Sequence, residues 1–294
     1  MNFKVLSAVG ISGLLMAGGV MTATVSASSS GYDLFKTSVT NMQHLDSFTA
    51  NVQASLSDNG NEIYQISSVS QMDLKGDQSR SSVSINNGSA SKKLELYSND
   101  HQDIFKSNVD EKYYVEQDSG EEHAEVEGEE KEQISPQMQK DIEGIFDSLT
   151  KNYQDSIDTK KLANGNTELQ LSLSKNEIPA VGQASISFLL KNMDQQGQDL
   201  ESDDFGGALK LDELIPELPQ LTSNIMVSKI DLFGEVNTDQ YLVGQKADIY
   251  VTGKDVNGTS HELVLHLTNK LDNIDSTNVS GIDLSGEKVV NVKD

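Results

Sequence analysis

The chain has 294 residues, of which 36% are hydrophobic and 23% are charged, so it is long enough to bury one large core or two smaller ones. Its 46 acidic side chains against 22 basic ones give a formal net charge of −24, which disfavours nucleic acid and bare anionic membranes as partners. The sequence has no cysteine, which excludes disulfides and a lipid-modified cysteine anchor.

The first 27 residues have the pattern of a secretory signal peptide. Lys4 precedes an apolar run over residues 5–20, and residues 25–27, Val-Ser-Ala, form an A-x-A-like site. We predict cleavage after Ala27. An uncleaved anchor is the alternative, but the apolar run is shorter than the ~20 residues that span a bilayer. Residues 28–294 are then predicted to be secreted or associated with the cell envelope, with no lipid anchor and no integral membrane segment.

The mature chain begins with an amphipathic helix and continues as a meander of strands. Phe35, Val39, Met42 and Leu45 recur at helical spacing. Apolar residues then alternate strictly with polar ones, and turns rich in Asn and Gly separate the alternating runs. The predicted strands of this first block cover residues 48–56, 64–74, 83–85, 94–97, 103–105 and 112–116.

Residues 118–133 are too polar to join a core. Eight acidic side chains and one lysine occupy residues 118–132, which predicts a disordered acidic loop. Two further amphipathic helices are predicted over residues 134–153 and from Pro179 to about residue 193. A strand pair is expected between them, over residues 156–162 and 169–173.

The longest alternating block covers residues 225–271. It is predicted to form long antiparallel strands, and the alternating residues between 249 and 267 flank Asn257 and Gly258, a dipeptide that suits the positive φ angles of a tight hairpin turn. Residues 289–292 are predicted to form an edge strand. Because helices interrupt the strands without the regular alternation of parallel βαβ units, we predict a single α+β domain in which one antiparallel sheet wraps around the helices.

Catalytic and metal-binding motifs are not evident. The three Ser-x-x-Lys matches lack the partner motifs of a serine acyltransferase, and the five histidines form no H-E-x-x-H pattern. The acidic residues 199–204 lack the glycine and the closing glutamate of a calcium loop. We therefore predict a protein that is not an enzyme, without cofactor and without a metal site.

The order of elements resembles that of the LolA-like superfamily of extracytoplasmic lipid-handling proteins, which includes mycobacterial lipoproteins of the LppX and LprG type. The phrases that carry the resemblance are residues 45–48, Leu-Asp-Ser-Phe, and residues 235–243. The resemblance implies a curved antiparallel half-barrel whose concave apolar face is covered by helices and holds an acyl chain or a hydrophobic peptide. The chain departs from the family pattern because it lacks a lipid-anchoring cysteine and contains an acidic loop.

The inward-facing apolar side chains are either solid core or the lining of a ligand site. The candidate lining residues are Phe146, Leu149, Leu169, Leu171, Leu173, Phe188, Ile249, Val251, Leu263, Leu265 and Leu267. If they line a gap, the protein binds a hydrophobic ligand, a lipid or acyl chain, in the cell envelope. If they are core, the alternative is a structural or interaction protein whose acidic surface contacts cell-wall or envelope proteins.

Overall fold

The structure is a computed structural model that describes residues 31–99, 101–108, 112–117, 156–180, 183 and 219–292. Strands account for 61% of these residues. The elements in chain order are α1 (Gly31–Met42), β1 (Ser47–Asp58), β2 (Asn61–Asp73), β3 (Gln78–Asn86), β4 (Ser91–Ser98), β5 (Gln102–Ser107), β6 (Lys112–Gln117), β7 (Asp158–Lys161), β8 (Thr167–Ser174), β9 (Ser223–Val236), β10 (Leu242–Lys254), β11 (Ser260–Asp272) and β12 (Lys288–Val292).

All of these strands belong to one twelve-stranded sheet in the order β12-β6-β5-β4-β3-β2-β1-β11-β10-β9-β8-β7. Strands that follow one another along the chain pair antiparallel within two blocks, β1 to β6 and β7 to β11, and 48 residues separate β8 from its partner β9 in the second block. The antiparallel ladder between β1 and β11 joins the two blocks, with Ala50 opposite Leu271 and Leu56 opposite Leu265. The only parallel pair in the described sheet is β12 with β6.

The two faces of the sheet differ in polarity because successive side chains of a strand point to opposite sides. On β1, Ala50, Val52 and Ala54 lie on one side, and Asn51 and Gln53 lie on the other. We call the first side the apolar face and the second the polar face.

Helix α1 lies on the apolar face at one end of the sheet. Its residues Phe35 and Val39 pack against Leu169, Val236 and Leu242, which are all buried. The first residue of α1, Gly31, is so close to the chain before β7 that a Cβ atom there would lie 2.6 Å from the carbonyl oxygen of Ile157. Helix α1 therefore covers the end of the sheet formed by β8, β9 and β10.

The segment that follows β11 crosses the polar face and leads to β12. Thr277 Oγ1 lies 2.9 Å from Thr49 Oγ1, and Val279 packs with Tyr97, Ile104 and Val115. The chain thus passes over strands β1 to β6 before β12 pairs with the outer side of β6, which explains why that pair is parallel.

The predicted α+β class, with a half-barrel sheet and helices packed on its concave face, is wrong. The described chain is mostly strand, and α1 is the one helix that it completes. The two further predicted helices, over residues 134–153 and from Pro179 to about residue 193, lie outside the described residues except for Pro179, Ala180 and Gln183. Strand pairing, set by short turns and alternation, instead organises the described chain into one wide sheet.

The local predictions for the described regions are confirmed. The first helix and every predicted strand are present, the last of them as the edge strand β12. The turn between β1 and β2 has positive φ angles of 50° at Asn59 and 81° at Gly60, and Gly258 in the β10–β11 hairpin has a φ of 81°. The signal peptide with its cleavage after Ala27 and the acidic loop 118–133 lie outside the described residues.

Candidate functional site

The candidate lining residues that the structure describes all lie on the apolar face. Strand registers place Leu169, Leu171 and Leu173 of β8 on the same side as the candidates of β10 and β11. Those candidates are Ile249, Val251, Leu263, Leu265 and Leu267. Phe146, Leu149 and Phe188 lie outside the residues whose side chains are described. The alternation of the sequence therefore located one continuous surface formed by strands far apart in the chain.

The centre of this surface consists of two parallel rows of cross-strand neighbours, which we call the apolar rows. Each row crosses six strands in the order β8, β9, β10, β11, β1 and β2. The first row is Leu173, Ile230, Ile249, Leu265, Leu56 and Tyr64. The second row is Leu171, Leu232, Ala247, Leu267, Ala54 and Ile66.

Most side chains of the apolar rows are half-buried. Leu232 is 38% exposed, whereas Leu173 and Ala247 are buried. Burial raises the pKa of Tyr64, because the phenolate form would lose its hydration in this surrounding. Four of the half-buried side chains, Leu56, Leu171, Ile230 and Ile249, pack on one side against the buried cluster that contains Leu173, and the rest of their surface is apolar area open to solvent.

Fully buried clusters flank the apolar rows on both sides, along the direction of the strands. At the α1 end, Leu45, Phe48, Val52 and Leu271 pack together. At the opposite end, Leu173, Val251 and Leu263 pack with Ile178, Leu221 and Val227. A list of eight candidates thus contains core residues, such as Val251 and Leu263, as well as members of the half-buried rows.

Gln183 forms two hydrogen bonds with the backbone of Val227, the member of the second cluster that belongs to β9. Its Nε2 donates to the carbonyl oxygen of Val227 at 2.8 Å, and its Oε1 accepts from the amide of Val227 at 2.9 Å. The register between β9 and β10 shifts at this point, between Tyr250 and Val251. The ladder between β8 and β9 ends at Lys229, so Gln183 supplies hydrogen bonds to Val227 beyond the end of that ladder.

Titratable side chains gather at the end of the sheet remote from α1. His261 Nδ1 lies 2.8 Å from Asp58 Oδ2, and His261 Nε2 lies 3.8 Å from Asp255 Oδ2. His261 Nε2 and Asp58 Oδ1 are buried without a hydrogen-bond partner. Among the described residues, however, no three His, Asp or Glu side chains lie close enough together to hold a metal ion.

The polar face carries a duplicated charge motif. Residues 229–233, Lys-Ile-Asp-Leu-Phe, and residues 246–250, Lys-Ala-Asp-Ile-Tyr, both have the pattern Lys-x-Asp-x-aromatic. Antiparallel pairing of β9 with β10 places Asp231 opposite Asp248 and each lysine opposite the aromatic residue of the other strand. Lys229 lies 5.7 Å from the ring centre of Tyr250.

Each aspartate of this motif is paired with its own lysine. Lys229 Nζ lies 2.7 Å from Asp231 Oδ2, and Lys246 Nζ lies 2.9 Å from Asp248 Oδ2. Burial alone would raise the pKa of both carboxyl groups. Hydrogen bonds outweigh it and lower both pKa values. They come mainly from Lys229 to Asp231, and from His266 and then Lys246 to Asp248. The charges of this face are therefore largely satisfied within the sheet.

Asp248 and His266 resemble two members of a Ser-His-Asp triad. His266 Nδ1 lies 2.6 Å from Asp248 Oδ1, and Ser55 of β1 is the cross-strand neighbour of His266 on its other side. No hydrogen bond joins Ser55 to His266 within the described coordinates, so the serine is not activated by the imidazole in this arrangement. The group is a polar row across the sheet and not an assembled nucleophile.

No helix in the described part of the chain has the length and apolarity needed to cross a bilayer. No protein-family model matches the sequence, and no curated protein is detectably similar to it.

Sequence reasoning missed the polar-face motif. The Lys-x-Asp-x-aromatic pattern occurs twice in the sequence, but the sequence does not show that the two copies lie side by side. Only the register that pairs Asp231 with Asp248 shows this. Sequence reasoning also missed the contact between Asp58 and His261, which are 203 residues apart. Only the pairing of β1 with β11 brings these two side chains together.

Proposed function

We propose that the protein is a non-enzymatic binding protein for a hydrophobic ligand, a lipid or an acyl chain, in the cell envelope. The observation that carries the proposal is the pair of apolar rows, where half-buried aliphatic side chains from six strands form one surface between two buried clusters. A surface of this kind gains free energy when an apolar ligand removes it from water, at about 25 cal/mol per Å² of apolar area.

Two predictions from the sequence support the proposal. The signal peptide predicts export to the envelope, where acyl chains are abundant, and the resemblance to LolA-like proteins predicts lipid handling. The resemblance remains a prediction, because it depends on the order of elements and two short phrases. The surface itself is independent of that resemblance.

The experiment is native mass spectrometry of the mature protein purified from its own cells without detergent. We expect a population of protein molecules that carries one additional mass in the lipid range, and this mass should be lost after extraction with organic solvent. Delipidated protein should melt at a higher temperature when a neutral lipid or a fatty acid is added back, because a ligand that binds only the folded state stabilises it.

A protein that carries no additional mass and whose melting temperature does not respond to any lipid would contradict the proposal. The interpretation would then be the alternative, a solid-cored envelope protein that interacts through its acidic surface. The polar face gives this alternative little support at β9 and β10, because the lysines there pair with Asp231 and Asp248. A pull-down from isolated envelopes that loses its signal at high salt would support it.

A further inference from the structure

We infer that Asn269 and Gln245 form a polar anchor within the apolar face, and that this anchor binds the neutral amide head group of an acyl ligand. The inference rests on the proposed function, because it assigns the polar end of the same binding surface. Neither Asn269 nor Gln245 is among the lining residues predicted from the sequence.

The first observation is that Asn269, which is buried, and Gln245, which is half-buried, both have buried polar atoms without a hydrogen-bond partner. Asn269 is 2% exposed. Neither its Nδ2 nor its Oδ1 has a hydrogen-bond partner, and the buried Oε1 of Gln245 also lacks one. Buried amide groups are hydrogen-bonded in almost all native proteins, so three unsatisfied atoms at one place require an explanation.

The second observation is the position of the pair on the sheet. The register of β10 and β11 places Gln245 directly opposite Asn269, and Val52 of β1 lies on the other side of Asn269. Two residues along the same strands are Leu267 and Ala247, which belong to the second apolar row. The amides therefore lie next to the apolar rows, on the same face and one pleat away.

A purely structural role would favour a different arrangement. Ser70 and Ser81 are also buried polar residues of the apolar face, but their hydroxyl groups bond to each other at 2.9 Å. A leucine or valine at position 269 would extend the apolar rows without leaving any group unsatisfied. The folded protein thus retains an unfavourable amide at the place where a bound apolar molecule would end.

The hydrogen-bonding capacity of the unpartnered atoms of Asn269 and Gln245 indicates which head group they can bind. The pair offers one NH₂ donor, Asn269 Nδ2, and two acceptors, Asn269 Oδ1 and Gln245 Oε1. A carboxamide carries both a carbonyl acceptor and N–H donors and can therefore complement both kinds of atom. A carboxylate supplies no donor and would bring an anion into a protein whose net charge is already −24.

The length of the surface suits an extended acyl chain. From Asn269 to Leu263 along β11 is six residues, or about 20 Å at the rise of a β-strand. Leu267 and Leu265 lie on the same face between these two positions. A chain anchored at Asn269 would therefore pass over the half-buried leucines and end at the buried cluster that contains Leu263.

The test measures displacement of the neutral fluorescent probe N-phenyl-1-naphthylamine from the delipidated mature protein by dodecanamide, methyl dodecanoate and dodecanoate. We expect the amide to bind about tenfold more tightly than the ester, which lacks the donor. Asn269→Leu should remove this preference, because it costs the amide the bonds to both Nδ2 and Oδ1 but costs the ester only the bond from Nδ2 to its carbonyl oxygen. Gln245→Met should also reduce the preference for the amide, and it serves as the test variant if Asn269→Leu does not fold. Ser70→Ala, on the same face, should retain it.

The outcomes separate the two proposals. If all three compounds bind equally well, or if the preference for the amide survives in both anchor variants, the polar anchor is wrong and ligand binding stands. If neither the probe nor any of the compounds binds to the wild-type protein, the proposed function is wrong and the anchor with it. A higher melting temperature of ligand-free Asn269→Leu, combined with unchanged binding preference, would show that the amides are only a structural defect.

Discussion

Asp231 of β9 and Asp248 of β10 lie directly opposite each other on the polar face, and each is bound by the lysine two residues before it on its own strand. Two carboxylates in adjacent cross-strand positions repel each other unless cations are near. Lys229 and Lys246 supply these cations, and Ser172 and His266 complete the hydrogen bonds on the two outer sides. The sheet therefore holds a pair of like charges because the same short motif occurs on both strands.

The first prediction concerns acid stability. The pKa values of Asp231 and Asp248 are lowered in the folded protein. Their ionised forms therefore stabilise the fold above the unfolded-state pKa of about 3.9, and this contribution disappears as the pH falls through the lower folded-state values. We expect the urea concentration at the unfolding midpoint of the wild-type protein to decrease when the pH is lowered from 5 to 2. This interval spans the usual range of aspartate pKa values, about 3.5 ± 1.2.

The matched variants are Asp248→Asn and, as control, Asp239→Asn. Asp239 is exposed in the turn before β10. Asp248→Asn should lower the midpoint at neutral pH and make it less dependent on acid, while Asp239→Asn should follow the wild-type curve. Equal acid dependence in the wild type and Asp248→Asn would contradict a role for this carboxylate.

The second prediction separates the two faces of the sheet. Leu232 in the second apolar row is 38% exposed, and Val69 on the polar face is 48% exposed. Leu232→Glu should weaken lipid binding by roughly tenfold or more, because a bound acyl chain would bury the new charge. Val69→Glu should have no effect on binding. Fluorescent-probe titration measures the affinities, and equal effects of the two variants would argue against the apolar face as the binding surface.

The third prediction concerns the packing of α1. A Cβ atom at Gly31 would lie 2.6 Å from the backbone oxygen of Ile157, which cannot move independently of the chain. We expect Gly31→Ala to lower the free energy of unfolding by roughly 1–3 kcal/mol, the range of overpacking substitutions. Chemical denaturation provides the measurement.

Gly76 is the control for this substitution. A Cβ atom there would also lie 2.6 Å from its nearest neighbour, but that neighbour is the side-chain oxygen Oδ2 of Asp73, whose movement costs only the bond that Asp73 Oδ1 accepts from the Gly76 amide at 2.8 Å. Gly76→Ala should therefore lower stability by no more than about 1 kcal/mol, the worth of that exposed hydrogen bond. A loss at position 76 as large as at position 31 would show that the contact between α1 and Ile157 is not the cause.

The fourth prediction tests the hydrogen bond between Asp58 and His261. Their side chains are 17% and 13% exposed, and the bond joins the end of β1 to the start of β11. In a double-mutant cycle with Asp58→Asn and His261→Gln, we expect a coupling energy of about 1 kcal/mol. Replacing Asp255, whose Oδ2 is 3.8 Å from His261 Nε2, should give a smaller coupling. Additive single substitutions at Asp58 and His261 would refute the coupling.

The sequence predicted the features that depend on residues close together in the chain, namely the strands and the turns between them. Alternation of polar and apolar residues located the strands, and the dipeptide of Asn59 and Gly60 located a turn whose two residues both have positive φ. It could not predict the order of the strands, because the pairing of β1 with β11 depends on contacts more than 200 residues apart in the chain, as between Asp58 and His261. The wrong fold class followed from the same limit, since a periodic pattern does not say how many strands join one sheet.

The candidate site was predictable in part for a related reason. Strand parity alone was enough to place residues such as Leu171 and Leu265 on one face. Burial distinguishes Leu263, which belongs to the core, from its neighbour Leu265, which is half-buried, and no sequence pattern separates them. Asn269 was missed because a polar residue interrupts the alternation that defined the search.

The ladder between β1 and β11 has a consequence for how the protein folds. Within the first block, β1 to β6, and within β9 to β11, neighbouring strands follow one another closely in the chain and need little loop closure to pair, whereas 48 residues separate β8 from β9. The two blocks meet only when β11 finds β1, after which the segment beyond β11 can cross the polar face and deliver β12 to β6. We expect refolding to be slow in this joining step, and substitutions at the β1–β11 seam to retard it more than substitutions in the hairpins.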